Sequence, residues 1–338
     1  MKAGTLCRTC IFIFRRKKIV YTLSINSNIT NQSRGIMNLD LDVLRQAKTP
    51  LEFIGNAKPI IDSALSTAIA RLPTYAAAEQ ISNIARYATF AGGGGKRIRP
   101  ALTLLTARCC GTPFEDVIES AAAVELIHTY TLIIDDIQDG DELRRGEPAT
   151  HSKFGVNLSL LAASVLLIEG ASLLQEKLRI PPFLLREILH KLHAGQEADI
   201  ESTTWPTSNR TEGSLQFIFS GKTGALFGLS CASGLGTQDS DEEMVRGLFD
   251  IGSEIGIVFQ AVDDLLEATG DSGQTGKPVG KDRAQKLTFM SLFADQASAR
   301  EAIQRRRVAL EANIRERLPG EGAGFLIEFL EALVHRSR

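Results

Sequence analysis

Thr112–Asp139, TPFEDVIESAAAVELIHTYTLIIDDIQD, is the stretch that decides the fold. It opens with Thr112, Pro113 and Glu115, an N-cap, an N1 proline and an N3 acid in capping-box register, and its helical pattern continues through Asp139. A second long helix announces itself the same way at Ser240 with Glu243 and is expected to run to about Ala268, before Gly270. At about 1.5 Å of rise per residue each is roughly 40 Å long, which implies a tall bundle around a deep central space. Outward from these two segments, from about Leu41 onward, apolar residues recur at helical spacing. Gly and Pro punctuate the segments, β-branched alternation is scarce and no internal repeat is visible. The expectation is an all-α, single-domain antiparallel helical bundle over residues 37–338.

Composition supports one soluble globular unit. Of 338 residues 43% are hydrophobic and 23% charged, enough apolar material for a sizeable core. A formal net charge of -2 carries no nucleic-acid signature. Five cysteines, an odd count without regular spacing, fit a reducing compartment better than a disulfide scaffold, so cytoplasmic residence is expected. Cys7 and Cys10 form a lone C-x-x-C with no second pair or nearby histidines, weak grounds for a metal.

Residues 1–36 stand apart. Lys2, Arg8, Arg15, Arg16, Lys17, Lys18 and Arg34 are basic, and no acid precedes Asp40. The apolar run Cys10–Phe14 is far too short to span a bilayer, and no membrane association is indicated. The segment reads either as an organelle transit sequence or, preferred, as sequence ahead of a start at Met37. Setting aside its seven basic residues leaves 31 of the chain's 38 Lys and Arg against 40 Asp and Glu, near -9, an acidity suited to gathering divalent metal.

Within the first long helix Asp135, Asp136 and Asp139 stand at i, i+1 and i+4, which places Asp135 and Asp139 one turn apart on one face. Thr131, His128 and Val124 continue that face backward. The acids fall at the helix C-terminus, where the macrodipole disfavours negative charge, so cations are expected to offset them. The second helix repeats the pattern with Asp263, Asp264 and Glu267, after Phe259 and Gln260. Six carboxylates facing one cavity would repel one another unless hard cations sat between them. Oxygen-only ligation points to Mg²⁺, which shares its coordination with phosphates and water. A basic set complements the acids: the glycine run Gly92–Gly95 leads into Lys96, Arg97, Ile98 and Arg99, with Pro100 expected to start a helix. Arg144, Arg145, Lys222 with Thr223, Lys277, Lys281 and Lys286 extend it. A glycine-rich backbone ahead of cations suits a phosphate. Loops are expected at Gly92–Gly95, Arg145–Pro148, Trp205–Thr211 and Gly270–Asp282.

With these motifs in order, GGGGKRIRP (Gly92–Pro100), ELIHTYTLIIDDIQDGDELRRGEPATH (Glu125–His151), GKTGAL (Gly221–Leu226), FQAVDDLLEATGD (Phe259–Asp271) and GKPVGKDRAQKLT (Gly276–Thr288), the chain resembles a trans-isoprenyl diphosphate synthase of the polyprenyl synthetase family. The likeness spans roughly Leu51 to Phe329 and implies an isoprenoid synthase fold. It implies that isopentenyl diphosphate is joined to an allylic diphosphate with release of pyrophosphate. By the same resemblance Lys96, Arg99, His128 and Arg145 would hold the diphosphate of isopentenyl diphosphate. Asp135, Asp139 and Asp263 would ligate Mg²⁺, three ions with Mn²⁺ a possible substitute. Arg144, Lys222, Thr223, Gln260, Lys277 and Lys286 would contact the allylic diphosphate, with Asp136 and Asp264 completing the catalytic acids. A homodimer is implied as well. Four positions depart from the family pattern: Glu267 stands for a common aspartate, so it would reach metal only through water, and Ile134, Ala149 and Ser164 replace a polar residue, a threonine and an aspartate.

Product length rests on Tyr130 and Thr131, five and four residues ahead of Asp135, as the floor of an apolar cavity. One aromatic there resembles the short-chain arrangement, so geranylgeranyl diphosphate (C20) is favoured over farnesyl or longer products. The rival readings are a class I terpene cyclase, which needs no second diphosphate site, and a noncatalytic synthase subunit, which should have lost ligands.

Overall fold

The computed structural model describes residues 40–72, 79–177, 182–236, 242–268, 286–318 and 321–335. The expected extension 1–36 and the whole Gly270–Asp282 loop, with Lys277 and Lys281, lie outside them. The described residues form thirteen helices: α1 (Asp42–Gln46), α2 (Pro50–Ala70), α3 (Glu79–Phe90), α4 (Ile98–Cys110), α5 (Phe114–Asp139), α6 (Thr150–Phe154), α7 (Val156–Lys177), α8 (Pro182–Glu201), α9 (Glu212–Phe219), α10 (Ala225–Ser233), α11 (Glu242–Ala268), α12 (Gln296–Arg317) and α13 (Glu321–Val334). Between α5 and α6 one antiparallel hairpin pairs β1 (Leu143–Arg144) with β2 (Glu147–Pro148), where sequence alone suggested a loop.

α5 is the central post, packed against α2, α4, α7 and α10. Its first half is buried on nearly every side, including Val117, Ile118, Ala121, Ala122, Ala123, Val124, Leu126 and Ile127. The small alanines allow close neighbours, and each fully buried large aliphatic contributes about 1.5–3 kcal/mol. From His128 onward one face loosens: His128, Tyr130, Thr131, Leu132, Ile134 and Asp135 are only partly buried. That change along a single helix marks where core ends and cavity begins. α11 runs along α10 and α12 and carries the second acidic set at its far end.

Two helix starts differ from expectation. Thr112 does not cap α5; Pro113, with ψ 136°, takes the N-cap place, and the helix begins at Phe114. The Thr112 N–H instead bonds the Ala107 carbonyl at 2.8 Å, closing α4 over Gly111 in its left-handed conformation. The Thr112 N–H therefore ends the preceding helix, and the next helix starts one residue later than its hydroxyl would cap. α4 likewise starts at Ile98, two residues before Pro100, because Arg97 adopts a left-handed φ of 53° and turns the chain into the helix there. The expected Ser240 cap lies outside the described residues.

α5 and α7 are each long and apolar enough to cross a membrane by length and composition. The apolar window of α5 is 67% buried within the bundle, as a core helix should be. That of α7 is 33% buried, and Val156, Leu160, Leu161 and Ile168 stand exposed along it.

Candidate active site

A cavity of about 720 Å³ opens between α5, α8, α10 and α11. Arg99, His128, Asp135, Arg144, Lys222, Thr223, Gln260 and Asp263 reach it as polar groups, and Leu132, Ile134, Leu192, Leu226 and Phe259 supply an apolar wall. The two long helices thus bring their acidic ends to one space.

The aspartates of α5 are each met by a cation. Lys222 Nζ lies 3.0 Å from Asp135 and 2.7 Å from Asp199. Lys286 Nζ lies 2.9 Å from Asp139 and 3.2 Å from Asp199. Burial works against the Lys222 ammonium, but Asp135 and Asp199 outweigh it and hold its pKa above the ordinary lysine value. Asp136 turns away from the cavity lining. It is 3% exposed and accepts a fork of bonds from Arg144, with Nε at 2.8 and 3.1 Å and Nη2 also bonded.

Lys222 owes its position to an unusual turn. Ser220–Gly224 is one turn of π-helix, the kind of local widening that re-aims a side chain. It comes so close to α8 that a Cβ on Gly195 would sit 2.3 Å from the Lys222 nitrogen, and one on Gly221 2.6 Å from Gly195 Cα. Only glycine fits at either point. On the next residue the Thr223 hydroxyl donates to Gln260 Oε1 at 3.1 Å, and Gln260 Nε2 donates to Asp264 at 2.9 Å. Asp264 also accepts the Phe289 N–H at 2.7 Å. Burial pushes the Asp264 carboxyl up to about 7 despite these two bonds. Asp263 lines the cavity, whereas Glu267 is exposed outside it.

A second polar station sits at the glycine turn. Gly92, Gly94 and Gly95 all take positive φ, and added Cβ atoms would collide at 2.2–2.6 Å with Arg145 or Arg97. Arg97 is not a surface cation. Its fully buried side chain bonds Asp62 at 2.8 Å, Glu125 at 2.6 Å and the Thr89 carbonyl at 2.8 Å, so it fastens the turn to α2, α3 and α5. Lys96, by contrast, is exposed. Arg99 Nη1 donates to His128 Nε2 at 3.1 Å, which makes that nitrogen an acceptor and leaves the ring proton on Nδ1, 3.4 Å from the Thr131 hydroxyl. Burial first, then Arg99 and Arg145, hold the His128 pKa well below the ordinary histidine value, so the ring is neutral at pH 7. Burial draws Arg99 down to about 10, still cationic at neutral pH. Its Nε is buried without a hydrogen-bond partner among the described residues, a donor left over for an anion.

The sequence comparisons agree with this geometry. Residues 78–318 match the family model described as polyprenyl synthetase. The chain belongs to the polyprenyl synthetase family. Like its relatives in that family, it is a prenyltransferase. It is 32% identical over 299 residues to a farnesyl diphosphate synthase of Geobacillus stearothermophilus, covering 84% of this chain and 98% of the relative. It is 36% identical over 220 residues to a geranylgeranyl diphosphate synthase of Mycobacterium tuberculosis, covering 63% of this chain and 62% of the relative. A crystal structure of a geranylgeranyl pyrophosphate synthase superposes with a TM-score of 0.73 at 25% identity, over 84% of this chain and 99% of that one. The all-α isoprenoid synthase fold expected from sequence is thereby met.

Several residues of this polyprenyl synthetase site were missed in the sequence. Asp199 and Gln196 on α8 meet Lys222, Lys286 and Asp135, with Gln196 Nε2 3.1 Å from Asp135. Their signal was Gly195, a mid-helix glycine that costs about 1 kcal/mol relative to alanine and so marks a close approach. His193, one turn earlier on the same helix, accepts the Tyr130 hydroxyl at 2.7 Å through Nε2 while its Nδ1 bonds the Leu189 carbonyl at 2.6 Å. Nothing in its spacing announced that pairing.

Proposed function

We propose that this chain condenses isopentenyl diphosphate with an allylic diphosphate to a linear trans-polyprenyl diphosphate, with geranylgeranyl diphosphate as the favoured product. The observation that carries the reading is the presence of two anion stations on one cavity. One is the Arg99–His128 pair beside Lys96 and Arg145 at the glycine turn; the other is the Lys222–Lys286 pair among the aspartates. A cyclase needs only the second.

The donor set fits a divalent hard cation. Asp135 and Asp139 supply oxygen ligands one turn apart, with Asp263 on the cavity wall, and lysine ammonium groups already balance the first two. A bound Mg²⁺ would take its remaining ligands from phosphate oxygens and water. When bound, Mg²⁺ (three ions by family likeness, with Mn²⁺ a substitute) would supply charge neutralisation to the departing pyrophosphate. Lys222, Lys286, Thr223 and Gln260 would orient the allylic diphosphate, and Arg99, Arg145 and Lys96 the isopentenyl diphosphate, with neutral His128 as a further partner. Arg144 is held by Asp136 and would act at the diphosphate from that anchored position. Leu132, Ile134, Leu226 and Phe259 would keep water from the allylic cation until the isopentenyl double bond attacks. The proton lost from the new chain would pass to the released pyrophosphate.

Product length follows the same cavity. Tyr130 closes against His193, so the pair bridges α5 and α8 along its lining. A farnesyl product is the second reading, and Tyr130→Ala is expected to shift products to longer chains by mass spectrometry. The exposed α7 stripe of Val156, Leu160, Leu161 and Ile168 supports a homodimer. Unpaired Cys109, Cys110 and Cys231 support residence in a reducing compartment such as the cytoplasm. The test of the reaction is pyrophosphate release with Mg²⁺. A synthase releases it in step with isopentenyl diphosphate consumption, whereas steady release from the allylic diphosphate alone would indicate a cyclase.

A further inference from the structure

Lys286 bridges Asp139 and Asp199, the latter also bonded by the cavity-lining Lys222, yet its own backbone belongs to no helix or strand. Bonds from elsewhere in the chain hold its backbone. Arg210 Nη2 donates to the Lys286 carbonyl at 3.1 Å, and its Nη1 donates to the Ser202 carbonyl at 2.8 Å. Ser202 in turn accepts the Leu287 N–H on its hydroxyl at 3.2 Å, and donates that hydroxyl to the Asp199 carbonyl at 2.7 Å. Two residues on, Phe289 N–H is fixed by Asp264. Arg210 thus ties Lys286 to the end of α8, where Asp199 receives the lysine. Arg210 itself is not among the lining residues, and among the described residues it meets this segment at the Lys286 carbonyl.

We propose that Arg210 is a positioning residue for the reaction: by holding the Lys286 carbonyl to the Ser202 turn, it fixes the Lys286 ammonium where the allylic diphosphate must be received. The planar guanidinium suits the task because its two terminal nitrogens donate in fixed directions to two carbonyls from different segments, an orientation that a freely rotating ammonium does not fix. The inference rests on the assignment of Lys286 to the allylic diphosphate.

Steady-state kinetics on the full chain test it, with Arg210→Met, Lys286→Met, the double variant and Arg210→Lys. Arg210→Met is expected to raise KM for the allylic diphosphate and lower the corresponding kcat/KM about tenfold. KM for isopentenyl diphosphate and the melting temperature should be unchanged. The double variant should be no worse than Lys286→Met, and Arg210→Lys should recover only part of the loss. Should Arg210→Met fold poorly, Ser202→Ala removes the acceptor of the Leu287 N–H with Arg210 in place, and the same selective rise in allylic KM is expected. Wild-type kinetics in Arg210→Met, equal shifts in both KM values, or multiplicative losses in the double variant would overturn the proposal while leaving the Lys286 assignment standing. A Lys286→Met variant with unaltered allylic KM would remove that assignment and the proposal with it.

Discussion

The two acidic clusters share one spacing and live in different surroundings. On α5, Asp135 meets Lys222, Asp136 meets Arg144 and Asp139 meets Lys286. On α11, Asp263 faces the cavity, Asp264 binds a backbone N–H and a glutamine amide, and Glu267 is exposed. What the clusters have in common is the fate of the middle acid. Asp136 and Asp264 both turn from the cavity to hold something else, the Arg144 of the hairpin in one case and the segment after Lys286 in the other. In both i, i+1, i+4 patterns the middle acid is architectural, while of the outer acids Asp135 and Asp263 line the cavity and Glu267 does not.

The largest expected effect would come from the outer acids. Asp135→Ala or Asp263→Ala should lower kcat by about 10³-fold, since each removes a carboxylate that would help hold Mg²⁺ against the reacting diphosphates, with the melting temperature nearly unchanged. Next come the middle acids, where the comparison predicts unequal costs. Asp136→Asn breaks a forked, largely buried ion pair and should destabilise the fold by about 2 kcal/mol in urea titrations. Asp264→Asn should cost less than about 1 kcal/mol, because a carboxyl raised to about 7 is half neutral already. Equal losses would erase the distinction. Glu267→Gln, at an exposed side chain, should leave kcat near the wild-type value; a large loss would place Glu267 among the metal ligands after all.

A smaller effect concerns the other station. The His128 pKa is lower in the folded chain than in the unfolded one, so between the two values the unfolded state binds more protons. Stability should fall as pH drops below about 6.5, by at most about 1.4 kcal/mol per unit from this group, and be flat above it. His128→Gln should flatten that slope in urea titrations across pH 5–7. An unchanged slope would mean that His128 is not the neutral partner of Arg99.

Much of this arrangement was legible in the residues. The helical period and the repeated acid spacing gave the bundle, the two motif helices and the shared cavity, because both depend on local periodicity. The cation required at the C-terminus of α5 was inferable from the macrodipole, and three cations are there. Long-range pairing was not legible. Arg97 read as one of three cations after the glycine run, yet its side chain is fully buried, and only the folded proximity of Asp62 and Glu125 separates it from Lys96 and Arg99. Asp199 gave no pattern of its own because its partners are 23 and 87 residues away. Thr112 misled because Pro113 takes the N-cap place and α5 begins one residue later than the capping-box spacing implied.

The central claim is the condensation itself, and product mass tests it most directly. Purified protein would be incubated with Mg²⁺, isopentenyl diphosphate and, in separate reactions, dimethylallyl, geranyl or farnesyl diphosphate. Two anion stations on one cavity predict consumption of isopentenyl diphosphate and a linear diphosphate ending at twenty carbons. A cyclic hydrocarbon, or no isopentenyl diphosphate consumed with any of the three primers, would contradict the account.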